Sequence, residues 1–117
     1  MSLRLKRGVS LTDAKLAIGV AMGVVLAIHK EMGLPAPTIT SVNDGQHMNK
    51  SRHYTGEAFD LRVFDLTQAQ RVERCKKMRE ILDPLGFDVI SSETIGHVDH
   101  DHLEFDAKPG EQLFSVL

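Results

Sequence analysis

The sequence predicts one small α+β domain, in which a mostly antiparallel sheet packs with two helices. Two segments have helical composition. In four short segments the apolar residues are clustered or alternate with polar ones, as is typical of strands. They follow one another in the order α-β-β-α-β-β with short connections, an order that favours antiparallel pairing. No repeat, low-complexity stretch or linker interrupts the chain, so residues 1–117 are assigned to a single domain.

Residues 11–32 predict the first helix, and a glycine at position 33 marks its end. Its unbroken apolar run, Leu16 to Ile28, has 13 residues, whereas a membrane span needs roughly 20. The bulky, charged sequence after Ile28 lacks the small residues of a signal-peptide cleavage site. We therefore interpret this segment as a buried helix and expect neither a membrane span nor an export signal.

Four segments predict strands: 38–42, 58–63, 87–90 and 100–105. The second alternates most clearly, and alternate residues of a strand point to opposite faces of the sheet. One face is expected to join the core and the other to carry polar groups; these two sets are Phe59, Leu61 and Val63, and Ala58, Asp60 and Arg62.

The second helix is predicted over 67–82, with Thr67 as its N-cap and Pro84 and Gly86 beyond its end. Its apolar positions are expected to form the stripe that faces the core. These positions are Val72, Cys75, Met78, Ile81 and Leu82.

Composition excludes several classes of function. A net charge of -2 gives no electrostatic basis for binding nucleic acid or an anionic membrane. With 5% aromatic residues and no Trp, the chain has little with which to stack bases or sugars. Cys75 is the single cysteine, so no intrachain disulfide or cysteine-based zinc site can form. A small buried residue is a better interpretation of Cys75 than a catalytic thiol.

His53 and Asp60 are the first pair of candidate metal ligands. They would point to opposite faces of one continuous strand, but Gly56 between them allows the chain to turn before the strand begins. A carboxylate among apolar neighbours needs a partner, because burial of an unpaired charge is costly. The alternative is a surface Asp60 on an edge strand, paired with Arg52 or Arg62.

The second group of candidates lies on the last predicted strand. His100, His102 and Glu104 share one face of it, and two histidines spaced H-x-H are a recurring metal-ligand arrangement. The alternative is a solvated polar face with incidental histidines. Together with the first segment, this strand supplies two imidazoles and one carboxylate, which suit zinc with one position open for water. Zinc lowers the pKa of such a water to about 7.

These two segments also carry a family resemblance. The motifs are Ser51-x-His53-x-x-Gly56-x-Ala58-x-Asp60 and Asp99-x-x-His102-x-Glu104. Over residues 38–106 the chain resembles the zinc peptidase family of D-Ala-D-Ala carboxypeptidases, dipeptidases and phage L-alanyl-D-glutamate endolysins. The resemblance implies the fold shared with the Hedgehog signalling domain. It also implies a zinc metallopeptidase, of phage or bacterial origin, that hydrolyses peptidoglycan stem peptides by carboxypeptidase or endopeptidase action.

By motif position, the resemblance implies that His53, Asp60 and His102 bind zinc and that Asp99 is the general base. Glu93 is the alternative base, because strand alternation places Asp99 opposite His102 unless the strand is irregular at 99–100. Four further residues are expected to bind substrate or to support the metal ligands: Ser51, Gln46, His100 and Glu104.

The chain departs from the family pattern in one respect. Several relatives carry an arginine after the Thr-Ser of the preceding strand, where it stabilises a developing oxyanion. Here Ser41 is followed by no arginine until Arg52, and Gln46 or His47 is the available substitute.

The expected cofactor is Zn²⁺, and the expected partner is a peptidoglycan peptide. We expect a soluble monomer that is made in the cytoplasm and acts on the cell wall. An alternative is a non-catalytic, zinc-containing binding module of the same fold. A scaffold or toxin-like protein with incidental histidines is the third possibility.

Overall fold

The computed structural model describes residues 2–9, 16–42, 58–93 and 99–105. These ranges contain five strands, two α-helices and one 3-10 helix. The elements are β1 (Arg4–Leu5), α1 (Leu16–Met32), β2 (Thr38–Val42), β3 (Ala58–Arg62), α2 (Gln68–Leu82), a 3-10 helix (Asp83–Leu85), β4 (Phe87–Ile90) and β5 (His100–Phe105).

The five strands form one sheet in the order β1-β2-β3-β5-β4. The β1–β2 pair is parallel, and the other three pairs are antiparallel. The α+β class is therefore confirmed, with a mixed sheet. All four predicted strands are present, and β3 is one residue shorter than expected. β1 was not predicted, because a two-residue strand is too short to produce a periodic pattern.

The core lies between the helices and one face of the sheet. Phe59, Leu61 and Val63 are buried, as their alternation predicts. Neighbouring strands and both helices contribute further apolar side chains to the same cluster, among them Leu103 of β5 and Met78 of α2. This core occupies one face of β3 and β5, so the alternate side chains of both strands are directed to the opposite face.

α1 buries one side rather than its whole circumference. Its buried residues recur every three or four positions, whereas Leu16 is exposed. The helix ends at Gly33, where φ is 69° and L side chains are disfavoured. Two hydrogen bonds close the end, from Gly33 N to Lys30 O and from Leu34 N to His29 O. The expected N-terminal turn, residues 11–15, lies outside the described residues.

α2 begins as predicted, but its buried face differs from the prediction. Thr67 and Gln70 form a reciprocal capping box. Val72 and Ile81, assigned to the core stripe, are 55% and 46% exposed. Arg74 is buried instead, 1% exposed. Cys75, Met78 and Leu82 are buried as predicted, and Arg74 lies on the same side of the helix, so hydrophobicity was wrong only for Val72 and Ile81.

No helix within the described ranges is both long enough and apolar enough to cross a membrane.

Candidate metal centre and adjoining cleft

Asp60 of β3 and His102 of β5 lie directly opposite each other in the antiparallel ladder. The Nδ1 atom of His102 is 2.7 Å from Oδ1 of Asp60, and both residues are largely buried. β3 is flanked by β2 and β5, so Asp60 does not lie on an edge strand. The two residues, predicted from segments far apart in sequence, are therefore in direct contact.

Two more β5 side chains complete the polar cluster. Glu104 Oε1 lies 3.2 Å from Nε2 of His102, and His100 Nε2 lies 3.5 Å from Oδ2 of Asp60. Burial, the largest single influence, lowers the pKa of His102, but the hydrogen bonds to Asp60 and Glu104 and the negative charges of these two residues together raise the pKa above its usual value. Carboxylates only accept hydrogen bonds, so in the protonated ring Nδ1–H donates to Asp60 and Nε2–H donates to Glu104.

This arrangement has donor chemistry that fits zinc. An imidazole nitrogen and a carboxylate oxygen meet at Nδ1 and Oδ1, where a proton and a metal ion would compete. Glu104 then accepts from the other ring nitrogen, the usual way in which a ligating histidine is oriented. The third expected ligand, His53, lies outside the described residues, as do Ser51 and Gln46. Within the described ranges no group of three His, Cys, Asp or Glu side chains is arranged to hold a metal.

An open cleft of about 520 Å³ adjoins Asp60. Its wall includes His100, the first residue of β5, and Asp99 just before it, together with residues from β2, from β3 and the segment after it, and from the segment after β1. Asp99 precedes the first residue of β5, so the strand alternation that would direct it away from His102 does not apply. It is exposed, and it makes no hydrogen bond or ion pair with another described residue.

Glu93, the alternative base, lies elsewhere. It accepts a hydrogen bond from Nε2 of Gln68 in α2, at 2.8 Å. It lines a separate groove of about 190 Å³ with Cys75 and Asp101, whose side chains belong to the helix-covered face. Of the two candidate bases, only Asp99 shares a cleft with Asp60. Burial also raises the pKa of the Cys75 thiol, which disfavours a reactive thiolate there.

The cleft owes part of its lining to a bulge in β2. Ile39 pairs with Leu61 and Val42 pairs with Phe59, but the register shifts between Ile39 and Ser41. Ile39 and Val42 are both buried in the core, whereas Thr40 and Ser41 both line the cleft. The extra residue thus directs two successive side chains to the site face, a known use of bulges near functional sites.

Behind the site, Arg74 connects the two strands that carry Asp60 and His102. Its Nη2 donates to Oδ2 of Asp101 in β5 at 2.9 Å and to the carbonyl of Arg62 in β3 at 3.2 Å. The backbone N–H of Ser92 donates to the other Asp101 oxygen at 2.8 Å. Arg74 and Asp101 are each 1% exposed. This network was not predicted, although an acid among the core-facing positions of β5 was a signal for it.

His29 of α1 completes the network. Nη1 of Arg74 lies 3.1 Å from Nε2 of His29, and Nδ1 of His29 lies 2.8 Å from the carbonyl of Pro35. Because Arg74 can only donate, Nε2 must accept, and the ring proton lies on Nδ1, which donates to Pro35. Burial lowers the pKa of His29, and the charge of Arg74 acts in the same direction, against the opposing effect of the Pro35 hydrogen bond. The buried ring is therefore neutral.

The lowered pKa of His29 predicts a pH dependence of stability. Below about pH 6.5 the unfolded chain binds a proton at His29 that the folded protein resists, so the free energy of unfolding falls as pH decreases. Above that pH the neutral His29 contributes its full stabilisation to the folded protein.

The measurement is urea unfolding of wild type and His29→Gln between pH 8 and pH 5, with chelator in both series. The difference in unfolding free energy between the two proteins should become smaller as the pH falls. Parallel curves would contradict the lowered pKa of His29.

Arg62 was not predicted as a functional residue, although the alternation of β3 places it on the face of Asp60. In the structure Arg62 lines the cleft.

Comparison with known proteins adds no family assignment: no family model matches the chain, and no curated protein sequence matches it.

Proposed function

We propose that this protein is a zinc-dependent peptidase that hydrolyses peptidoglycan stem peptides. The main support is the contact between Asp60 and His102, whose carboxylate and imidazole come from the two motifs that carry the family resemblance. His53 is the proposed third ligand. The Hedgehog/DD-peptidase-like fold is part of the same proposal, beyond the α+β architecture itself.

The proposed mechanism assigns separate tasks to the residues around the cleft. Zinc, when bound, supplies a Lewis acid that activates water and polarises the scissile carbonyl. Glu104 accepts from Nε2–H of His102 and so keeps Nδ1 directed toward Asp60. Asp99 accepts a proton from the attacking water and delivers it to the departing amine. The cleft volume of about 520 Å³ is sufficient for a short peptide segment.

A non-catalytic binding module of the same fold is the second candidate. It is favoured by the sequence after Ser41, which contains no arginine before Arg52 to stabilise an oxyanion. In that case zinc would have a structural role, and the cleft would bind a wall peptide without cleaving it. In either case we propose a monomer that is made in the cytoplasm and acts at the cell wall.

Digestion of purified peptidoglycan distinguishes the two candidates. Zinc-loaded protein is incubated with walls of several chemotypes, and the masses of the soluble fragments identify the bond cut. We expect fragments from cleavage at L-Ala-D-Glu, at D-Ala-D-Ala or at a cross-link, and none when chelator is present. Zinc-loaded protein that binds the wall peptides but releases no fragment from any chemotype would favour the binding module.

A further inference from the structure

The cleft beside Asp60 contains a cationic side chain to which the proposed mechanism gives no task. Arg62 lies two residues after Asp60 on the same face of β3, a separation of roughly 6.5–7 Å along a strand. It is directly opposite His100 in the ladder and lines the same cleft as Asp99. Asp60 and Arg62 therefore line one cleft, and a ligand bound there can contact both.

The guanidinium of Arg62 is held in place. Its Cζ lies 4.6 Å from the ring centroid of Phe64, and Phe64 is itself 69% exposed. A guanidinium that stacks on a ring through its flat face keeps its edge N–H groups free for planar acceptors. The carbonyl of Arg62 is also bonded to Arg74, which restrains the backbone beneath the side chain.

The guanidinium N–H groups of Arg62 lack hydrogen-bond acceptors among the described residues. Its Nε is buried and has no hydrogen-bond partner among the described residues. Asp60 is in contact with His100 and His102. Arg74 in the core also has an unpaired Nε, so the position of Arg62 at the cleft wall carries the argument: its terminal N–H groups make no hydrogen bond to a described residue and are available to a ligand in the cleft. Lys6 lines the same cleft and adds a second positive charge.

We propose that Arg62, assisted by Lys6, binds a carboxylate of the substrate next to the scissile bond. A carboxylate is planar and offers two acceptor oxygens, which match the donor fork of a guanidinium. Identification of the ligand as a peptide rests on the proposed peptidase function, whereas the carboxylate recognition itself rests on Arg62. Two sources have this chemistry: the C-terminal carboxylate of a peptide ending in D-Ala-D-Ala, and the α-carboxylate of D-Glu in L-Ala-γ-D-Glu.

Two matched substrate pairs test the proposal. One pair is a stem peptide ending in D-Ala-D-Ala and its C-terminal amide; the other is an L-Ala-γ-D-Glu peptide with a free or an amidated α-carboxylate. Binding is measured by calorimetry on metal-free protein, so no turnover is needed, and kcat/KM is measured on zinc-loaded protein. Wild type is expected to prefer the free carboxylate in one pair, which identifies the source.

Arg62→Gln should weaken binding of that carboxylate peptide about 10- to 100-fold and leave binding of its amide unchanged. Arg62→Lys should give an intermediate preference, because it keeps the charge but loses the planar fork. Lys77→Gln, which removes the same charge from the surface of α2, should match wild type. Equal effects of Arg62→Gln on carboxylate and amide, or no effect on either, would overturn the proposal.

Peptide binding and kcat/KM together distinguish failure of the proposed carboxylate site from failure of the proposed peptidase function. A carboxylate preference that depends on Arg62, without any hydrolysis, would support this site and contradict the peptidase. Hydrolysis in which Arg62→Gln leaves the carboxylate-to-amide ratio of kcat/KM unchanged would support the peptidase and contradict this site.

Discussion

Asp99→Asn is expected to abolish hydrolysis of peptidoglycan peptides while the protein remains folded and retains its zinc. Removal of a general base typically lowers kcat by about 10²- to 10⁴-fold, because the attacking water then has no proton acceptor in place. Asp99 is exposed and makes no described hydrogen bond or ion pair, so its substitution should not alter the fold. The measurement is kcat with zinc content and unfolding free energy determined on the same preparation.

Glu93→Gln is the matched control for this prediction. It neutralises an exposed carboxylate close in sequence, but Glu93 lies in the groove beside α2 and bonds to Gln68. We expect nearly wild-type kcat. If Glu93→Gln were inactive and Asp99→Asn active, the two roles would be reversed. If Asp99→Asn retained all biological function of a zinc-loaded, non-hydrolytic protein, the binding-module proposal would hold.

Arg74→Met is expected to cause the largest loss of stability among single substitutions of charged residues. The substitution leaves Asp101 as a buried carboxylate without its cation, which typically costs about 3–5 kcal/mol. A domain of this kind has about 5–15 kcal/mol in total, so the loss is a large part of it. Arg74 also bonds the carbonyl of Arg62 and the ring of His29, and both contacts disappear with it. Urea unfolding measures the change.

A double-mutant cycle isolates the ion pair. In Arg74→Met with Asp101→Asn no uncompensated charge remains, and the amide oxygen of Asn can still accept from Ser92 N, so the double variant should be more stable than Arg74→Met alone. Lys77→Met breaks the surface ion pair to Glu31 at 3.0 Å and should have little effect, since exposed pairs contribute little. Similar losses in Arg74→Met and Lys77→Met would show that Arg74 and Asp101 do not stabilise the core as a pair.

Strand alternation predicted the part of the site that depends on local sequence. It placed Asp60 and Arg62 on one face of β3 and His100, His102 and Glu104 on one face of β5. The grouping of Asp60 with His102 was implied by the family resemblance, and the cost of burying an unpaired carboxylate was the reason to expect a partner for Asp60. Their register, directly opposite in neighbouring strands, is a long-range property that local patterns do not encode.

The errors arose where a charged side chain occupies a core position. In α2, hydrophobicity favoured Val72 and Ile81 over Arg74. Arg74 is nevertheless buried, and its two terminal nitrogens contact His29, Asp101 and the Arg62 carbonyl. None of these partners is near Arg74 in sequence, so the compensation is invisible to a helical pattern. The bulge in β2 was not predicted either, because it depends on how Ile39 and Val42 pair with β3, which is not encoded in the local sequence of β2. The roles of His53, Ser51 and Gln46 stay predictions.

Zinc stoichiometry of wild type and ligand variants tests the central claim most directly. Metal analysis of purified protein should find one zinc per chain in wild type, and no bound zinc in Asp60→Ala, His102→Ala and His53→Ala. Asp88→Ala, an exposed carboxylate of β4 opposite Glu104, is the control and should keep its zinc. Wild type without zinc, or full zinc retained in Asp60→Ala or His102→Ala, would contradict the proposed metal centre. No change in either metal content or stability on His53→Ala would contradict it equally.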